Sequence, residues 1–483
     1  MRQYLSFQTT ATLCGAVLAT VIGCDNKRGG GGGAPDAAGG GVDAAGGDVD
    51  AAGGDVDAAV ADAADDAPAD TSSDVCDPAW NDVQIGTDLD DQIWGLTADA
   101  NQNIYAAAYE HGRTGPTNMT NLEPEGDSRG VVIKFDRKGA VQWKTVLDTA
   151  GADTVEDVVL EPGTGRLYVV GRTFGEFTGF TNKGQFDTFL ATLEPTGQVT
   201  NIFQSGDDRP AHPVHLNLGP NRSVLVAGYD DTFVVGTAVI ARETGFIASY
   251  ERGEIPDAPY IQNYVQKAPF SPNLANRITG VAVDGDGSGS MYVTSSVTGG
   301  ILRGIHIKKL NSDGSEVWTH RISPVSADVA TAAMSPTNEL IVAGATSVML
   351  GSQIFGLQDA FVLKMDKATG DVVWAAQAGG LDSDYPTSLA FDPAGNIYIA
   401  GETFGSVVQD VANQGGLDAF AMKFDPNGAL LASWQKGTAD DEVVTSVAVD
   451  HCGKVLVGGY SKGVLVGSST AGGYDMFLLR AAL

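Results

Sequence analysis

A short stretch near the C-terminal end shows the pattern that organises most of this chain. Residues 388–401, SLAFDPAGNIYIAG, place two apolar runs on either side of a turn that contains proline and glycine. Alternating apolar and polar positions predict a half-buried β-strand, and Pro and Gly at these positions predict the tight turn of a hairpin. The stretch therefore predicts two antiparallel strands, called A and B below.

Stretches of this kind occur seven times in the 483 residues, at 95–108, 157–171, 215–228, 280–295, 331–344, 388–401 and 446–459. A second paired stretch, strands C and D, follows each of the first six, at 418–437 in the sixth unit and at 236–251 in the third. Four short strands repeated seven times, without helical periodicity, predict an all-β fold, a seven-bladed β-propeller. Two β-sandwiches in tandem are the alternative.

The last unit is incomplete, because it ends at Leu483 after its third strand. The missing strand is found before the first unit, where residues 80–86, WNDVQIG, resemble SWQKG at 433–437. An N-terminal strand that completes the last blade would close the ring and remove its free edges. Cys76 precedes this strand and Cys452 lies in the A–B turn of the same blade, so we predict a disulfide between them.

The N-terminal segment predicts export and anchoring. Arg2 precedes an apolar stretch that is too short to span a bilayer and ends in Val21-Ile22-Gly23-Cys24, which resembles a bacterial lipobox. Residues 1–23 are therefore interpreted as a lipoprotein signal peptide and Cys24 as the lipidated residue; an ordinary secretory signal is the alternative. Residues 24–75 consist mainly of Gly, Ala and Asp and predict a disordered tether that precedes a propeller at 76–483.

The net charge of the chain limits the classes of molecule that it could bind. The formal net charge of −31 argues against nucleic acid, which needs a basic surface, and against electrostatic docking on an anionic membrane. Any membrane association should therefore depend on the lipid anchor alone. The expected location is extracytoplasmic, in the cell envelope, with the outer membrane or cell surface favoured over the inner membrane.

The recurring pattern VAVDxxGNIYVxGxTxG followed by DAFVxKxDxxG resembles the bacterial SBBP β-propeller repeat family. Residues 389–404 and 418–428 match it best, and the resemblance extends over about residues 80–483. It implies an extracytoplasmic propeller. The family offers no catalytic motif that could be transferred to this chain.

Candidate binding residues fall on one predicted face, because the D–A and B–C loops of a propeller share one face. Long B–C links occur at 109–129, 172–186, 345–358 and 402–417. Acids lie in the D–A links, and a ring of them would suit a cationic ligand or a divalent metal; turn capping is the alternative. The candidate rim residues are Asp90, Asp91, Asp153, Asp208, Asp328, Asp384 and Asp441.

Two further groups could hold a metal. Asp284, Asp286 and Ser288 match the first half of a calcium-binding loop, but Ser295 stands where the bidentate Glu would be, and an ordinary turn is the alternative. His212 and His215, near Asp207 and Asp208, carry ligands that suit a transition metal. Calcium is the one cofactor considered, and no other cofactor is predicted.

No nucleophile motif of the G-x-S-x-G type and no Ser/His/Asp grouping is evident. The leading hypothesis is therefore a lipid-anchored binding or scaffold module that presents its loop-rich face to a protein, peptide or glycan. An enzyme of the quinoprotein, lyase or glycan-cleaving propeller type is the alternative, and a purely structural surface protein is a third.

Overall fold

Strands β1 (Val83–Ile85) and β29 (Asp475–Ala481), from the two ends of the propeller sequence, pair with each other in a computed structural model. The structure describes residues 76, 79–114, 124–125, 128–220, 223–233, 241–251, 261–267, 275–298, 303–322 and 330–483. These residues belong to one compact unit and contain strands without any helix. The predicted signal peptide and tether, with Cys24, lie outside the described residues.

Within each of the first three blades the strands pair antiparallel and follow chain order, and the third strand of blade 3 also makes one parallel pairing, Thr244 with Asn276, to the first strand of blade 4. Blade 1 holds β2 (Asp90–Ala98), β3 (Ile104–Thr114), the two-residue β4 (Pro124–Glu125) beside it, β5 (Arg129–Phe135) and β6 (Val141–Leu147). Blade 2 holds β7 (Asp153–Leu160), β8 (Leu167–Thr173), β9 (Asp187–Leu193) and β10 (Val199–Ser205). Blade 3 holds β11 (Ala211–Leu218), β12 (Ser223–Phe233), β13 (Ala241–Glu251) and β14 (Ile261–Lys267).

The remaining blades follow the same order, and the seventh borrows β1. Blade 4 holds β15 (Ala275–Val283), β16 (Met291–Thr298), β17 (Gly304–Leu310) and β18 (Glu316–Ile322). Blade 5 holds β19 (Ala330–Met334), β20 (Leu340–Thr346), β21 (Asp359–Met365) and β22 (Val372–Ala378). Blade 6 holds β23 (Asp384–Phe391), β24 (Ile397–Thr403), β25 (Asp418–Phe424) and β26 (Leu430–Lys436), and blade 7 holds β27 (Glu442–Val449), β28 (Val455–Ser461), β29 and β1.

The predicted ring closure is confirmed. Strand β1 lies beside β29, with Val83 opposite Leu478 and Ile85 opposite Met476. Seven apolar clusters lie between neighbouring blades, one for each pair, and the cluster between blades 7 and 1 contains Ile93, Leu456 and Leu478. Since every blade packs on two neighbours, the tandem-sandwich alternative is wrong.

The strand prediction for the third unit is wrong in its second half. Residues 236–251 were predicted to be a C–D hairpin, but Ala241–Glu251 is the single strand β13, and Gly245 pairs with Tyr229 inside it. Strand D is instead Ile261–Lys267. The Thr244-Gly245 pair has the composition of a turn, yet the chain continues through it because β12 offers eleven residues to pair with.

The repeated Gly-x-Thr segment of strand B has a structural cause. In several blades strand A has a β-bulge opposite the glycine of this segment. In blade 6 the bulge lies between Pro386 and Ser388, and Pro386 pairs with Gly401. A Cβ at Gly401 would overlap the carbonyl oxygen of Tyr385, and one at Gly459 would overlap that of Val443. The bulge therefore requires glycine at this position of strand B.

The acid of the A–B turn explains another repeated element. Asp392 accepts hydrogen bonds from the amide and side chain of Asn396 and, at 2.9 Å, from the Tyr398 hydroxyl. Asp99 is bound in the same way by Asn103 and Tyr105. The spacing D-x-x-x-N-x-Y thus closes the turn and ties it to strand B.

Tryptophans on strand D lie between adjacent blades, as predicted. The Trp143 indole donates to the carbonyl of Pro195, and that of Trp318 donates to the carbonyl of Lys367, in each case in the C–D turn of the next blade. Trp374 lies on Gly428 in the same way. Those turns have glycine at positive φ, +78° at Gly370 and +88° at Gly428, so the ring meets no side chain there.

Candidate ligand-binding face

The Cys76–Cys452 disulfide is present and lies on the face that carries the A–B and C–D turns. The two Cα atoms are 5.6 Å apart although 376 residues separate them in sequence. His451 lies beside it, with Nε2 3.2 Å from Cys452 Sγ. These three residues are the one group of potential metal ligands that converges among the described side chains, and the disulfide commits both sulfurs.

Three of the predicted rim acids bind the loops beside them. Asp91 accepts hydrogen bonds from the amide and hydroxyl of Thr87, and Asp153 accepts the same pair from Thr149. Asp384 accepts from the amide of Gly380 and the hydroxyl of Thr403. All three carboxyl groups are fully buried. Burial raises the pKa of each, to about 6 for Asp153 and Asp384.

Two more rim acids connect neighbouring blades. Asp90 accepts a 2.8 Å hydrogen bond from the amide of Tyr474, which belongs to blade 7, and Asp441 accepts a 3.0 Å bond from Leu417 of blade 6. Asp208 is exposed, and Asp328 lies outside the described residues. Of the six rim acids that the structure describes, five therefore hydrogen-bond the protein itself, as the capping alternative predicted.

Sequence reasoning missed a second set of acids, at the start of strand C. Asp187, Asp359 and Asp418 each accept a hydrogen bond from a glutamine of strand D: Gln204, Gln377 and Gln435. Each glutamine also accepts an amide hydrogen bond from its own B–C loop; for example, Gln377 Oε1 accepts from Leu350 at 3.0 Å. The recurring Gln near the end of strand D was the available signal, and it fixes the loops of the candidate face.

Glu442 is the equivalent of Asp153 in blade 7 and was also missed. It is fully buried and accepts from the amide and hydroxyl of Thr438 and from the hydroxyl of Ser461. Burial raises its pKa to about 7.

The candidate calcium loop is an A–B turn. Asp284 binds the ammonium of Lys367 at 2.9 Å, and it also accepts from Asn338 and the hydroxyl of Tyr292. Burial by itself would raise its pKa, but these hydrogen bonds lower it to about 2. Asp286 accepts from the Ser288 amide within the turn. A lysine ammonium thus occupies the position next to Asp284 where the sequence suggested a cation, and calcium binding stays a prediction.

The two histidines of the other candidate metal group do not converge. His212 stacks on Tyr229 with ring centroids 4.7 Å apart, and its Nδ1 lies 2.9 Å from Arg172. His215 instead contacts the carbonyl oxygen of Thr279 at 2.6 Å. The two imidazole rings therefore contact different partners.

Near His212, Arg172 also pairs with Glu156 at 3.1 Å, and the Glu156 carboxylate accepts a hydrogen bond from Thr154. Glu156 lies near the start of strand A of blade 2, Arg172 near the end of strand B of the same blade, and His212 near the start of strand A of blade 3. The opposite charges of Glu156 and Arg172 neutralise one another, so the group offers packing and pairing rather than an unpaired reactive side chain.

An apolar patch lies on the loop-rich face of blades 5 and 6, where six large side chains are exposed. They come from two B–C loops and the D–A link between them: Met349, Ile354, Phe355, Leu357, Leu381 and Phe404. Leu381 is 84% exposed and Leu357 is 69% exposed. Exposed apolar side chains that cluster in this way mark binding surfaces in soluble proteins.

A cleft of about 480 Å³ opens in this patch. Its walls contain Phe355, Leu381 and Phe404, together with Asp382, Ser406, Asn413 and three glycines. Glycine is required at 380, because a Cβ there would overlap the carbonyl oxygen of Ser406, and a Cβ at Gly405 would lie only 3.1 Å from the Asp382 side chain. The volume is within the range of ligand pockets in proteins.

The described residues contain no helix that could cross a lipid bilayer.

Comparisons with known proteins agree with the fold. Residues 373–406 match the family model SBBP, described as a beta-propeller repeat. Regulatory protein FlaEY of Caulobacter vibrioides is 34% identical over 111 residues, which cover 22% of this chain and 11% of that protein. The chain therefore matches only about a ninth of that relative's length.

Two solved structures match this chain over most of its length with low sequence identity. Sqt1 of Chaetomium thermophilum, crystallised with the N-terminus of ribosomal protein L10, is 12% identical with a TM-score of 0.43, over 83% of this chain and 100% of that chain. A protein of unknown function from Dyadobacter fermentans is 9% identical with a TM-score of 0.44, over 83% and 98% of the two chains. The segment that matches the family model contains strand D of blade 5 and the A–B hairpin of blade 6, so the similarity to the SBBP beta-propeller repeat falls inside the all-β, seven-bladed propeller that the strand pairing shows.

Proposed function

We propose that this protein is a lipid-anchored, extracytoplasmic binding module that holds a protein or peptide partner against the loop-rich face of blades 5 and 6. The apolar patch with its cleft is the observation that carries this proposal. Its side chains are exposed, and burying them against a partner would contribute about 25 cal/mol for each Å² of apolar area removed from water.

The way the loops are held supports the same function. Gln377 and Asp359 fix the B–C loop of blade 5, and Gln435 and Asp418 fix that of blade 6. Since these loops are ordered before any partner arrives, less conformational entropy is lost on binding. The opposite face carries tight turns and the disulfide, which suits it to the side nearer the tether.

A site-specific photocrosslinker tests the proposal. The photoreactive residue replaces Leu381 in the full chain produced in its native host, and Asn427, exposed in a C–D turn of the opposite face, serves as the matched control position. The expected result is a covalent protein adduct from position 381 that is absent from position 427. The same adducts from both positions, or none from position 381, would contradict the proposed function.

A further inference from the structure

The polar side chains that line the blade 5–6 cleft are already used, with one exception. Asn413 donates to the carbonyl oxygens of Thr403 and Gly416, and the Ser406 hydroxyl donates to the carbonyl of Val408. Asp382 lines the same cleft, is exposed, and its carboxylate accepts no hydrogen bond from any described residue. The cleft therefore offers apolar walls and one available carboxylate.

The surrounding loops carry negative charge only. The four segments 345–358, 379–383, 402–417 and 437–441 contain no Lys, Arg or His, and their acids are Asp382, Glu402, Asp410, Asp440 and Asp441. Asp410 and Asp440 are exposed. A partner that places a positive charge here gains favourable Coulomb energy and a faster encounter, while an acidic partner is repelled.

Resting on the proposed function, we infer that the cleft binds an extended protein segment in which a large apolar residue stands next to a lysine or arginine. The apolar side chain lies between Phe355, Leu381 and Phe404, and the cation pairs with Asp382. About 480 Å³ is enough for one or two such side chains.

A peptide fits this chemistry better than a glycan. A sugar presents several hydroxyl groups that need hydrogen-bond partners, and leaving them unpaired in a binding site costs free energy. The side chains of Phe355, Leu381 and Phe404, which form the apolar walls of the cleft, offer such hydroxyl groups no hydrogen-bond partner. In a peptide with an apolar residue beside a cation, the apolar side chain packs against the walls of the cleft and the cation pairs with the Asp382 carboxylate.

Selection from a peptide library tests the inference. The full chain is immobilised and panned with a phage-displayed library of random 12-residue peptides, and the enriched sequences are synthesised and their affinities measured. The expected sequences contain a large apolar residue next to Lys or Arg. Leu381→Ser should weaken them about tenfold and Asp382→Asn about two- to fivefold, the latter effect fading at high salt.

Two substitutions on the same face are the controls. Phe174 occupies in blade 2 the position of Phe404 in blade 6 and is 52% exposed, and Asp208 is an exposed acid outside the patch. Phe174→Ser and Asp208→Asn should leave the affinities unchanged. All four substitutions are at exposed side chains, and equal thermal unfolding temperatures would exclude misfolding as the cause.

The outcomes separate this inference from the proposed function. Enriched peptides without a basic residue, or insensitive to Asp382→Asn, would overturn the inference and leave partner binding intact. If Phe174→Ser lowers the affinity for the peptides and Leu381→Ser does not, the binding site does not lie in the blade 5–6 cleft. Binding on a glycan array with no enriched peptide would overturn the peptide assignment, and no enrichment together with no crosslink from position 381 would overturn both.

Discussion

Gln84 lies opposite Phe477 in an antiparallel strand pair, although the two residues belong to the first and last strands of the fold. The Gln84 side chain also binds the last B–C loop, accepting from the amides of Leu465 and Val466. Three residues of β1 therefore complete blade 7 and bridge it to its loop. So short a closing strand makes the neighbouring disulfide important for stability.

Removing the disulfide should destabilise the propeller. In the double variant Cys76→Ser, Cys452→Ser the unfolded chain regains the entropy of a very long loop, and the expected loss is about 2–5 kcal/mol. Urea unfolding measures it. A reducing agent should lower the midpoint of the unmodified protein and leave that of the double variant unchanged; an effect of the reductant on both would contradict this explanation.

Tryptophan packing against a turn glycine gives a second prediction. At Gly428 the φ angle is +88°, and an added Cβ would lie 2.8 Å from the Trp374 ring. Gly395 has a φ of +82°, and the one atom near an added Cβ there is Pro426 Cγ at 3.6 Å. Both Gly→Ala variants are strained, but Gly428→Ala should cost about 1–3 kcal/mol more because it also displaces the ring. Equal losses in chemical unfolding would show that the ring contact is unimportant.

Stability should fall as the pH rises from 5 to 8. Burial places the pKa of Asp153 and Asp384 at about 6 and that of Glu442 at about 7, above the values near 4 expected in the unfolded chain. Their protonated forms favour the fold, so this contribution is complete below about pH 4 and is lost as the pH rises through 6 to 7. Thermal unfolding at a series of pH values measures the decline.

Glu442→Gln tests which group is responsible. The variant cannot ionise, so its stability should depend less on pH, by about 1–3 kcal/mol between pH 5 and 8. Asp440→Asn removes the same charge at an exposed position two residues away and is the control. A reduction of the slope that is equal in both variants would assign the pH effect to net charge instead of the buried carboxyl group.

The glutamines that hydrogen-bond the B–C loops should limit the backbone motion of the apolar patch. Gln377→Ala removes the acceptor for the amides of Leu350 and Gly351, so hydrogen exchange in residues 348–358 should accelerate about tenfold. Gln204→Ala makes the equivalent change in blade 2, at the amide of Phe177, and should leave 348–358 unaffected. Unchanged exchange in the first variant would show that the loop is held by other contacts.

The proposed lipid anchor gives a prediction at Cys24, which the lipobox resemblance marks as the lipidated residue. Cys24→Ala should move the protein from the membrane fraction to the soluble fraction, because a lipid chain supplies about 0.8 kcal/mol of membrane affinity per buried CH₂ and the variant has none. Cys14→Ala, within the predicted signal peptide, is the control and should leave the protein in the membrane. Retention of the Cys24→Ala variant in membranes would contradict the lipid anchor.

The sequence was sufficient for the blade number, the strand order and the closure of the ring. Each of these depends on a local signal that recurs, such as the alternation and turn residues of 388–401 or the similarity of 80–86 to 433–437. It was insufficient in blade 3, where the Thr244-Gly245 pair has a turn composition and the partner strand β12 keeps it extended. Local composition cannot weigh pairing with a strand elsewhere in the chain.

Only the tertiary structure shows which residues form the candidate binding site on blades 5 and 6. An aspartate before a strand has the same sequence signature whether it caps a loop, as Asp384 does, or stays available, as Asp382 does. The apolar patch draws side chains from three separate loops, and each resembles an ordinary core residue in the sequence. Periodicity within a strand fixes how a blade is built, whereas exposure at a loop depends on which neighbouring loops the closed ring brings beside it.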